Sequence, residues 1–532
     1  MVETLTRRAF GQSVAGAATL AGLGTPAQAA DDNKTLRFIA QSDLRVLDPV
    51  WTTAYITRNH GYMVFDALFA IDSSFTPRPQ MVGDYTISED QLVYDFTLRQ
   101  GLLFHDGSPV RGADCVASLK RWIARDSMGG ILTSVIDEMK PSADGAFSIK
   151  LKEKFQLLLP ALAKVSSLVP HIMPERLAII DPYTQITEMI GSGPFKFVKE
   201  EFEPGHKVVY AKNTDYVPRN EPPSWASGGK VVKVDRVEWL YIPDHATAAA
   251  ALGAGEADWW ENPPLELVPV LAGNPNITVA EEDPLGVMTM VRFNHLNPPF
   301  DNPKMRQALM AVADQRDFLQ TLAGEAENWQ VCPSFFTCGT PMSSDTDSDK
   351  LTGPRDWDKA KKLIAEAGYK GEKIVVLDAV DQPNPHAQAV VAADLLRRLG
   401  LNIEVVSADW GTVVTRRASK KPIADGGWSI FGTGTVGADM LDPTGNNGLR
   451  SSGETAWFGW PKDDKIEELR NAWMKAADIE TRKQLAIALQ KRAFETVPYI
   501  PTGMYRPKTA YRKNITGVIQ APAILMWNVA KA

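Results

Sequence analysis

Residues 373–406, KIVVLDAVDQPNPHAQAVVAADLLRRLGLNIEVV, decide the fold class. The runs 373–377 and 402–406 are rich in β-branched residues, as expected of strands. Between them, residues 386–399 have apolar side chains at helical spacing, and Gly400 ends the helix. A strand, a helix and a second strand in this order form a βαβ unit, whose two strands lie parallel. The sequence therefore predicts an α/β protein.

Patterns on both sides of this unit extend the prediction. The segment Asp301-Asn302-Pro303 is expected to cap one helix and Asp356 another, and residues 464–497 predict two consecutive helices. Upstream, short strand-like runs alternate with turns: 35–40, 93–99, 195–198 and 208–210. From about residue 285 the predicted pattern changes from short strands and turns to alternating strands and clear helices. This change indicates two α/β lobes. Ligands of such proteins bind where lobes meet or where strands end.

Composition excludes several classes of protein. The chain has 532 residues, 44% hydrophobic and 23% charged, as in ordinary globular proteins of several domains. Its net charge of −7 does not suit a phosphate backbone, so we expect no nucleic-acid partner. The histidines are dispersed, and we predict no metal site and no cofactor. Residues 432–437, GTGTVG, match a dinucleotide fingerprint, but Pro443 follows before a crossover helix could form, so a flexible loop is predicted.

The first residues have the pattern of an export signal. The pair Arg7-Arg8 precedes a mildly apolar run over 14–23 and a small-residue triplet over 27–29. The run is shorter than the roughly 20 residues that span a bilayer, although a membrane anchor is the alternative interpretation. The sequence predicts a twin-arginine signal peptide over residues 1–29 and a periplasmic location.

The cysteines leave one question open. Cys332 and Cys338 bracket a short segment and could close a disulfide loop in an oxidising compartment, or they could be two separate buried thiols. Cys115 lies in a helical pattern and is predicted to be a small core residue.

Several motifs, taken in order, resemble those of a known family. They are Leu47-Asp48-Pro49, 96–109 (FTLRQGLLFHDGSP), 191–195 (GSGPF), 293–294 with 299–301, and 365–369 (AEAGY). With these motifs, nearly the whole chain after the signal resembles the large extracellular solute-binding proteins of dipeptide, oligopeptide and nickel importers. The resemblance implies a two-lobed clamp, of type II and cluster C, with an extra subdomain in the first lobe. Ligand binding is then expected to close the lobes.

The resemblance also implies a domain division and a role. Lobe I is expected to comprise residues 31–64, 190–282 and 500–532, the extra subdomain 65–189, and lobe II 283–499. We expect a monomer that captures a small molecule or short peptide and delivers it to an inner-membrane ABC permease complex. An exported hydrolase or a peptide-binding chaperone on the same fold is the alternative, but no nucleophile elbow or zinc helix motif is visible, so no enzyme is predicted.

In family members, the residues just after the Leu-Asp-Pro motif line the ligand pocket. Here these residues are Trp51, Thr52, Thr53 and Tyr55. Packing at the lobe surface is the alternative. Trp259 and Trp260 cannot both enter one core from a strand, because successive side chains alternate faces. One indole is expected to pack inward and the other to face the cleft.

Further candidates come from the second half of the chain. Asn294 belongs to one of the matching motifs. Trp410 and Arg417 resemble a family segment in which a Trp and a nearby Arg approach bound peptide. Arg417 could pair bidentately with a ligand carboxylate, with a solvated surface as the alternative.

The chain departs from the family pattern after Trp428. In peptide-binding members a carboxylate shortly after the Gly-Trp pair anchors the ammonium group of the peptide, whereas here Phe431 and its neighbours follow. Asp439 and Asp442 come only after a Gly-rich stretch, which would have to bring one of them inward to hold a free amine. The alternative ligand is apolar, amidated or aromatic and rests on Phe431, Trp428 and Trp410. A chelated metal, as in nickel-binding members, also stays open.

Replacing both signal arginines (Arg7→Lys with Arg8→Lys) should block export, because a twin-arginine signal is recognised through that pair. Immunoblots of periplasmic and cytoplasmic fractions compare the double variant with the wild type. Normal periplasmic recovery of the double variant would remove the twin-arginine interpretation.

Overall fold

The computed structural model describes residues 34–166 and 168–532. The predicted signal peptide, residues 1–29, lies outside the described residues. Within the two described ranges, no helix has both the length and the apolar character needed to cross a bilayer.

A mixed sheet, the first sheet, organises the first lobe. In spatial order its strands are Phe195–Phe197, Lys207–Lys212, Arg236–Leu240, Thr35–Ile39, Trp259–Trp260, Lys508–Arg512 and Ile277–Glu281. Thr35–Ile39 runs parallel to both of its neighbours. Phe38 packs with Trp259 in one core, and Ile39 packs with Trp260 in another. The sheet is therefore covered on both faces.

A second sheet organises the second lobe. In spatial order its strands are Trp329–Gln330, Tyr499–Tyr505, Val287–Phe293, Ile430–Val436, Ile374–Ala379 and Ile403–Ala408. Ile374–Ala379 pairs in parallel with Ile403–Ala408, and helix Pro383–Arg398 connects them. The predicted βαβ unit is confirmed. The α/β class is confirmed with it.

The chain also forms a small antiparallel sheet. In sequence order, its strands come after the first strand of the first sheet and before the other strands of that sheet. Its strands, in spatial order, are Val82–Ile87, Val93–Leu98, Ala146–Leu151 and Ile136–Ala143. Helix Gly112–Arg125 packs against two of these strands. Cys115 is fully buried in that helix, which confirms the prediction of a core residue.

The remaining elements are shorter or lie around these sheets. Two-stranded ladders join Asp66–Ala67 to His171–Ile172, Phe69–Ile71 to Pro77–Pro79, and Ile515–Thr516 to Ala530–Lys531. The other α-helices are Tyr55–Val64, Gly129–Val135, Leu158–Leu162, Glu175–Ala178, His245–Ala254, Val268–Ala272, Pro303–Val312, Gln315–Ala323, Asp349–Thr352, Trp357–Ala367, Trp410–Arg416, Asp464–Lys475 and Ile479–Thr496. Asn302 and Asp356 cap their helices as predicted, each accepting a hydrogen bond from a first-turn amide.

The chain passes between the two large sheets at two places, called here the crossings. It leaves the first sheet after Glu281 and enters the second at Val287, and it returns between Tyr505 and Lys508. The predicted boundary between residues 282 and 283 falls within the first crossing. The boundary predicted at residue 500 falls inside a strand of the second sheet, so the division into three parts stays a prediction in its details.

Two glycines of the predicted flexible loop, Gly432 and Gly434, lie in a strand instead. Residues 432–436 belong to Ile430–Val436, paired along its length with Val287–Phe293. A Cβ at Gly432 would lie 2.3 Å from the Cβ of Gln388, so the helix can pack this closely only on glycine. The prediction of a loop was wrong because the glycines permit close packing.

Cys332 and Cys338 form a disulfide, so the structure has the first of the two alternatives left open by their spacing. The bond closes a short loop whose phenylalanines, Phe335 and Phe336, are buried in the core of the second lobe.

A buried ion pair fixes the Leu-Asp-Pro motif. The carboxylate of Asp48 accepts a hydrogen bond from Arg121 at 2.7 Å, and both side chains are 0% exposed. The same carboxylate accepts the backbone amides of Val50 at 2.9 Å and Ile186 at 3.0 Å. The pair therefore ties the segment that leads to Tyr55 onto helix Gly112–Arg125.

Asp48→Ala should destabilise the protein by about 3–5 kcal/mol, because it leaves the Arg121 guanidinium buried without a counter-charge. The exposed pair Lys304–Glu366, 2.9 Å apart, provides the control: Glu366→Ala should cost at most about 1 kcal/mol. Urea unfolding midpoints compare the variants. Equal midpoints for the two would contradict a structural role for Asp48.

Candidate ligand site between the lobes

A cavity lies between the two large sheets, next to the crossings. The space there has a volume of about 1310 Å³, open solvent at its mouth included. Both lobes and both crossings line it, among others through Tyr55, Arg58, Glu282, Asp283, Arg417, Trp457 and Tyr505. A ligand held there contacts both lobes, and those contacts stabilise the closed arrangement over an open one.

Arg417 is held in a cage of aromatic rings. Its guanidinium carbon lies 4.9–5.5 Å from the ring centroids of Trp410, Phe431, Trp457 and Phe458. The residue is 2% exposed, and burial lowers its pKa to about 9. In the described part of the chain its guanidinium has no carboxylate within ion-pair distance. Cation–π contacts hold the group, and its hydrogen-bonding edge is left for an anionic ligand group.

A hydrogen-bonded group joins the lobes beside the cavity. The Tyr55 hydroxyl donates to the Asp439 carboxylate at 3.0 Å and accepts the Val436 amide at 2.7 Å. The Ser166 hydroxyl also donates to Asp439, at 2.9 Å. Burial raises the pKa of Asp439 to about 6. These bonds exist only while the lobes are together, so they belong to the closed state.

Other contacts of the same kind surround the cleft. Tyr241 donates to Asp381 at 2.8 Å, and Arg45 pairs with Asp409 at 2.9 Å. Each pair joins a residue of the first lobe to one of the second. The structure is therefore that of the closed clamp.

A second cavity, called here the outer cavity, adjoins the first and shares Thr53 and Trp457 with it. Trp51 lines it, together with Arg125 and Arg450. The Arg125 guanidinium donates to the Trp51 carbonyl at 2.7 Å, and Arg450 donates to the backbone. Within the described ranges neither guanidinium is in an ion pair. The outer part of the cleft is therefore positively charged and aromatic.

The predicted site residues fall into two groups. Thr53, Tyr55, Trp410 and Arg417 line the central cavity, and Trp51 lines the outer one. The structure thus brings together residues that lie far apart in the sequence. Their contact with ligand stays a prediction.

The other predicted residues do not line the central cavity. Thr52 is 4% exposed and accepts the Ala54 amide, and Asn294 donates to the Trp428 carbonyl at 2.9 Å. Trp428 and Phe431 are 0% exposed, with ring centroids 5.1 Å apart. They support the wall behind Arg417.

Trp259 and Trp260 alternate faces as expected, but neither faces the cleft. Both are buried, because the first sheet has a core on each face. Asp439 is 3% exposed and already hydrogen-bonded, and Asp442 accepts the amide and hydroxyl of Thr444 in a local turn. The Gly-rich stretch brings neither carboxylate to the cavity wall, because it is a paired strand.

Sequence reasoning missed several cavity residues. Arg58, Glu282, Asp283, Trp457 and Tyr505 line the cavity without having been singled out. Two signals could have found some of them. Three consecutive acids, residues 281–283, stand where the sequence pattern changes, and residues 456–460, AWFGW, concentrate aromatic side chains.

Two α/β lobes with a cavity between them, lined from both sides and bordered by two crossings, define a clamp-type binding protein. A family model, "Bacterial extracellular solute-binding proteins, family 5 Middle", matches residues 76–457. The chain belongs to this family, as its motifs led us to expect.

Individual relatives agree with this assignment. The chain is 41% identical over 527 residues to a probable peptide ABC transporter periplasmic-binding protein, y4tO, of Sinorhizobium fredii, covering 97% of this chain and 98% of that one. It is 25% identical over 497 residues to the glutathione-binding protein GsiB of Salmonella typhi, covering 90% of each.

Solved structures share the fold. The PBP AgaA of A. tumefacien R10, in complex with agropinic acid, has a TM-score of 0.77 at 21% identity and covers 94% of this chain and 99% of its own. A dipeptide binding protein from Pseudoalteromonas sp. SM9913, in complex with Met-Leu, has the same TM-score and identity and covers 94% and 100%. The two-lobed clamp is thereby confirmed.

Tyr55→Phe should make the closed state less favourable by about 1 kcal/mol or more, because it removes one hydroxyl that serves both Asp439 and Val436. Solution scattering of the ligand-free variant should then show a larger radius of gyration. Tyr62→Phe is the control, since its hydroxyl donates to Val165 at 2.7 Å on one side of the cleft. Identical curves for all three proteins would contradict the proposed contribution to closure.

Proposed function

We propose that the protein is the periplasmic substrate-binding component of an ABC importer. It captures a peptide-like or other small organic ligand by closing its lobes and delivers it to an inner-membrane permease. The observation that carries the proposal is the Arg417 guanidinium, buried and without a protein counter-charge, on the wall of a cavity between two lobes. Aromatic rings hold this charge in the empty protein, but no carboxylate of the described residues pairs with it, so it is available to an anionic group of a ligand.

The ligand class draws support from the relatives. Their names specify peptide and glutathione binding, and the structures that share the fold hold a dipeptide and agropinic acid. These molecules all carry carboxylates, which suit the Arg417 cage. Membership in a family of transport binding proteins favours binding without chemistry over the hydrolase alternative.

The relatives and the disulfide also support a proposal for the location and the assembly of the protein. The y4tO relative is named as a periplasmic protein, and the disulfide between Cys332 and Cys338 suits an oxidising compartment. The pair Arg7-Arg8 supplies a twin-arginine signal for export. The protein acts as a monomer whose closed form docks on the permease, and ATP hydrolysis on the other side of the membrane drives uptake.

Two measurements together test this function: whether the lobes close on a bound ligand, and whether the ligand is chemically changed. Native mass spectrometry of protein purified from periplasm should find a ligand bound one to one, and solution scattering should show compaction when that ligand is added back to stripped protein. The ligand should be recovered chemically unchanged. Scattering that no ligand alters, together with measured turnover, would contradict the proposal.

Arg417→Met should weaken binding of the co-purified ligand at least tenfold, while the melting temperature of the ligand-free protein stays equal or rises. The methionine keeps the length of the side chain, fits among aromatic rings and removes an uncompensated charge. Calorimetry measures the affinity and scanning fluorimetry the melting temperature. Arg416→Met, which removes a guanidinium bonded to the Gly427 carbonyl at 3.1 Å, is the control. A marked loss of stability in Arg417→Met would assign Arg417 to the core instead.

A further inference from the structure

Two carboxylates of the first crossing, Glu282 and Asp283, line the inner end of the cavity. Asp283 is 2% exposed. Its Oδ1 accepts the Leu285 amide at 2.9 Å, whereas its Oδ2 is buried without any hydrogen-bond partner. Across residues 34–166 and 168–532, no side chain hydrogen-bonds to Glu282 and no cation pairs with either carboxylate.

The cations nearby are already engaged. Arg506 and Lys508, in and just after the second crossing, lie 3.8 Å and 3.5 Å from Glu281, the residue before the pair. The Arg58 guanidinium lines the same cavity but donates to Ser166 and to the Pro522 carbonyl, each at 2.7 Å. The crossing therefore leaves two carboxyl groups at the inner end of the cavity with which no cation of the described residues forms an ion pair.

The carboxylate in the stretch where an amine anchor was expected is not available. Asp439 lies behind the cavity wall and accepts the hydroxyls of Tyr55 and Ser166. A ligand amine could reach it only by breaking the bonds that join the lobes. Glu282 and Asp283 have no such partners.

We propose that Glu282 and Asp283 form the subsite for a cationic group of the ligand, and that the transported molecule is a zwitterion whose amine lies at the crossing and whose carboxylate lies at Arg417. The proposal rests on the proposed function and names its substrate class. The guanidinium groups of Arg125 and Arg450 line the outer cavity, where they disfavour an ammonium group and so favour the bound orientation with the amine at the crossing.

The pKa values of the two carboxyl groups in the ligand-free site agree with this geometry. Burial raises the pKa of Asp283 to about 7. Burial, with Glu261 and Asp283 nearby, raises the pKa of Glu282 well above its ordinary value. The neighbouring charges that act on Asp283 are Arg58, which lowers its pKa, and Asp439, which raises it. A bound amine would displace these protons, so binding should release protons near neutral pH.

The first test compares carboxylate probes with and without a free amine. Three pools are offered to stripped protein in scanning fluorimetry and calorimetry: di- and tripeptides of Ala, Leu, Met and Phe, the same peptides after N-acetylation, and sugar acids without an amine. The free peptides should raise the melting temperature, and acetylation should weaken binding at least tenfold.

The second test uses isosteric variants. Asp283→Asn keeps the bond from the Leu285 amide but removes the charge, and it should weaken binding of the free peptides at least tenfold. Glu281→Gln is the matched control, because Glu281 pairs with Arg506 and Lys508 and does not line the cavity; its affinity should stay within twofold. Glu282→Gln gives an independent measurement at a half-buried position.

Stability in the absence of ligand separates a binding role from a structural one. Because folding raises the pKa of Asp283 from its ordinary 3.8 to about 7, its contribution to stability falls as pH rises between those values. Asp283→Asn should therefore melt about 2 °C higher than the wild type at pH 7.5, and the difference should shrink at pH 5.5. A lower melting temperature at both pH values would overturn the proposal.

Three further outcomes would also overturn it. They are equal binding of acetylated peptides, equal binding of sugar acids, and unchanged peptide affinity in Asp283→Asn and Glu282→Gln. The proposed function would survive each of them if the lobes still close on a bound molecule. If no pool stabilises the wild type, the inference fails, and native mass spectrometry of the co-purified ligand decides the proposed function separately.

Discussion

The whole arrangement depends on one constraint, which is that, within residues 34–166 and 168–532, the chain passes between its two large sheets only through two short crossings that lie side by side. Glu282 in the first donates its backbone amide to the Pro507 carbonyl in the second at 3.1 Å. Because two short links are the covalent connection between the sheets, the lobes can pivot about them as bodies. The cavity lies directly beside the crossings, and a ligand there acts on the part of the chain that must change conformation.

Much of the fold could be predicted because its signals are local. The strands and helix of residues 373–406 have periodicities that tertiary packing does not override, and the caps at Asn302 and Asp356 satisfy backbone amides within one turn. The exception is residues 432–436. Glycine was taken as a sign of flexibility there, but the approach of helix Pro383–Arg398, invisible in the sequence, requires its small size.

The site was harder to predict because its residues meet through long-range packing. The family resemblance led to Tyr55 and Arg417, both of which line the cavity. It could not show that Trp428 would be 0% exposed, since an aromatic residue beside a pocket and one behind its wall have the same sequence signal. Glu282 and Asp283 were missed because only the fold shows that acids at the crossing lack a partner. A buried ionisable group without an ion-pair partner thus marks the site better than residue type does.

The contact between Trp457 and Thr53 has an optical consequence. The indole nitrogen of Trp457 donates to the Thr53 hydroxyl at 3.1 Å from the opposite side of the cleft, and the ring also stacks near Arg417. Parting the lobes would break that bond and expose the indole to water, so its emission should move to longer wavelength and report the position of the lobes without any attached dye. Trp457 is thus an intrinsic fluorophore that lies in the cleft.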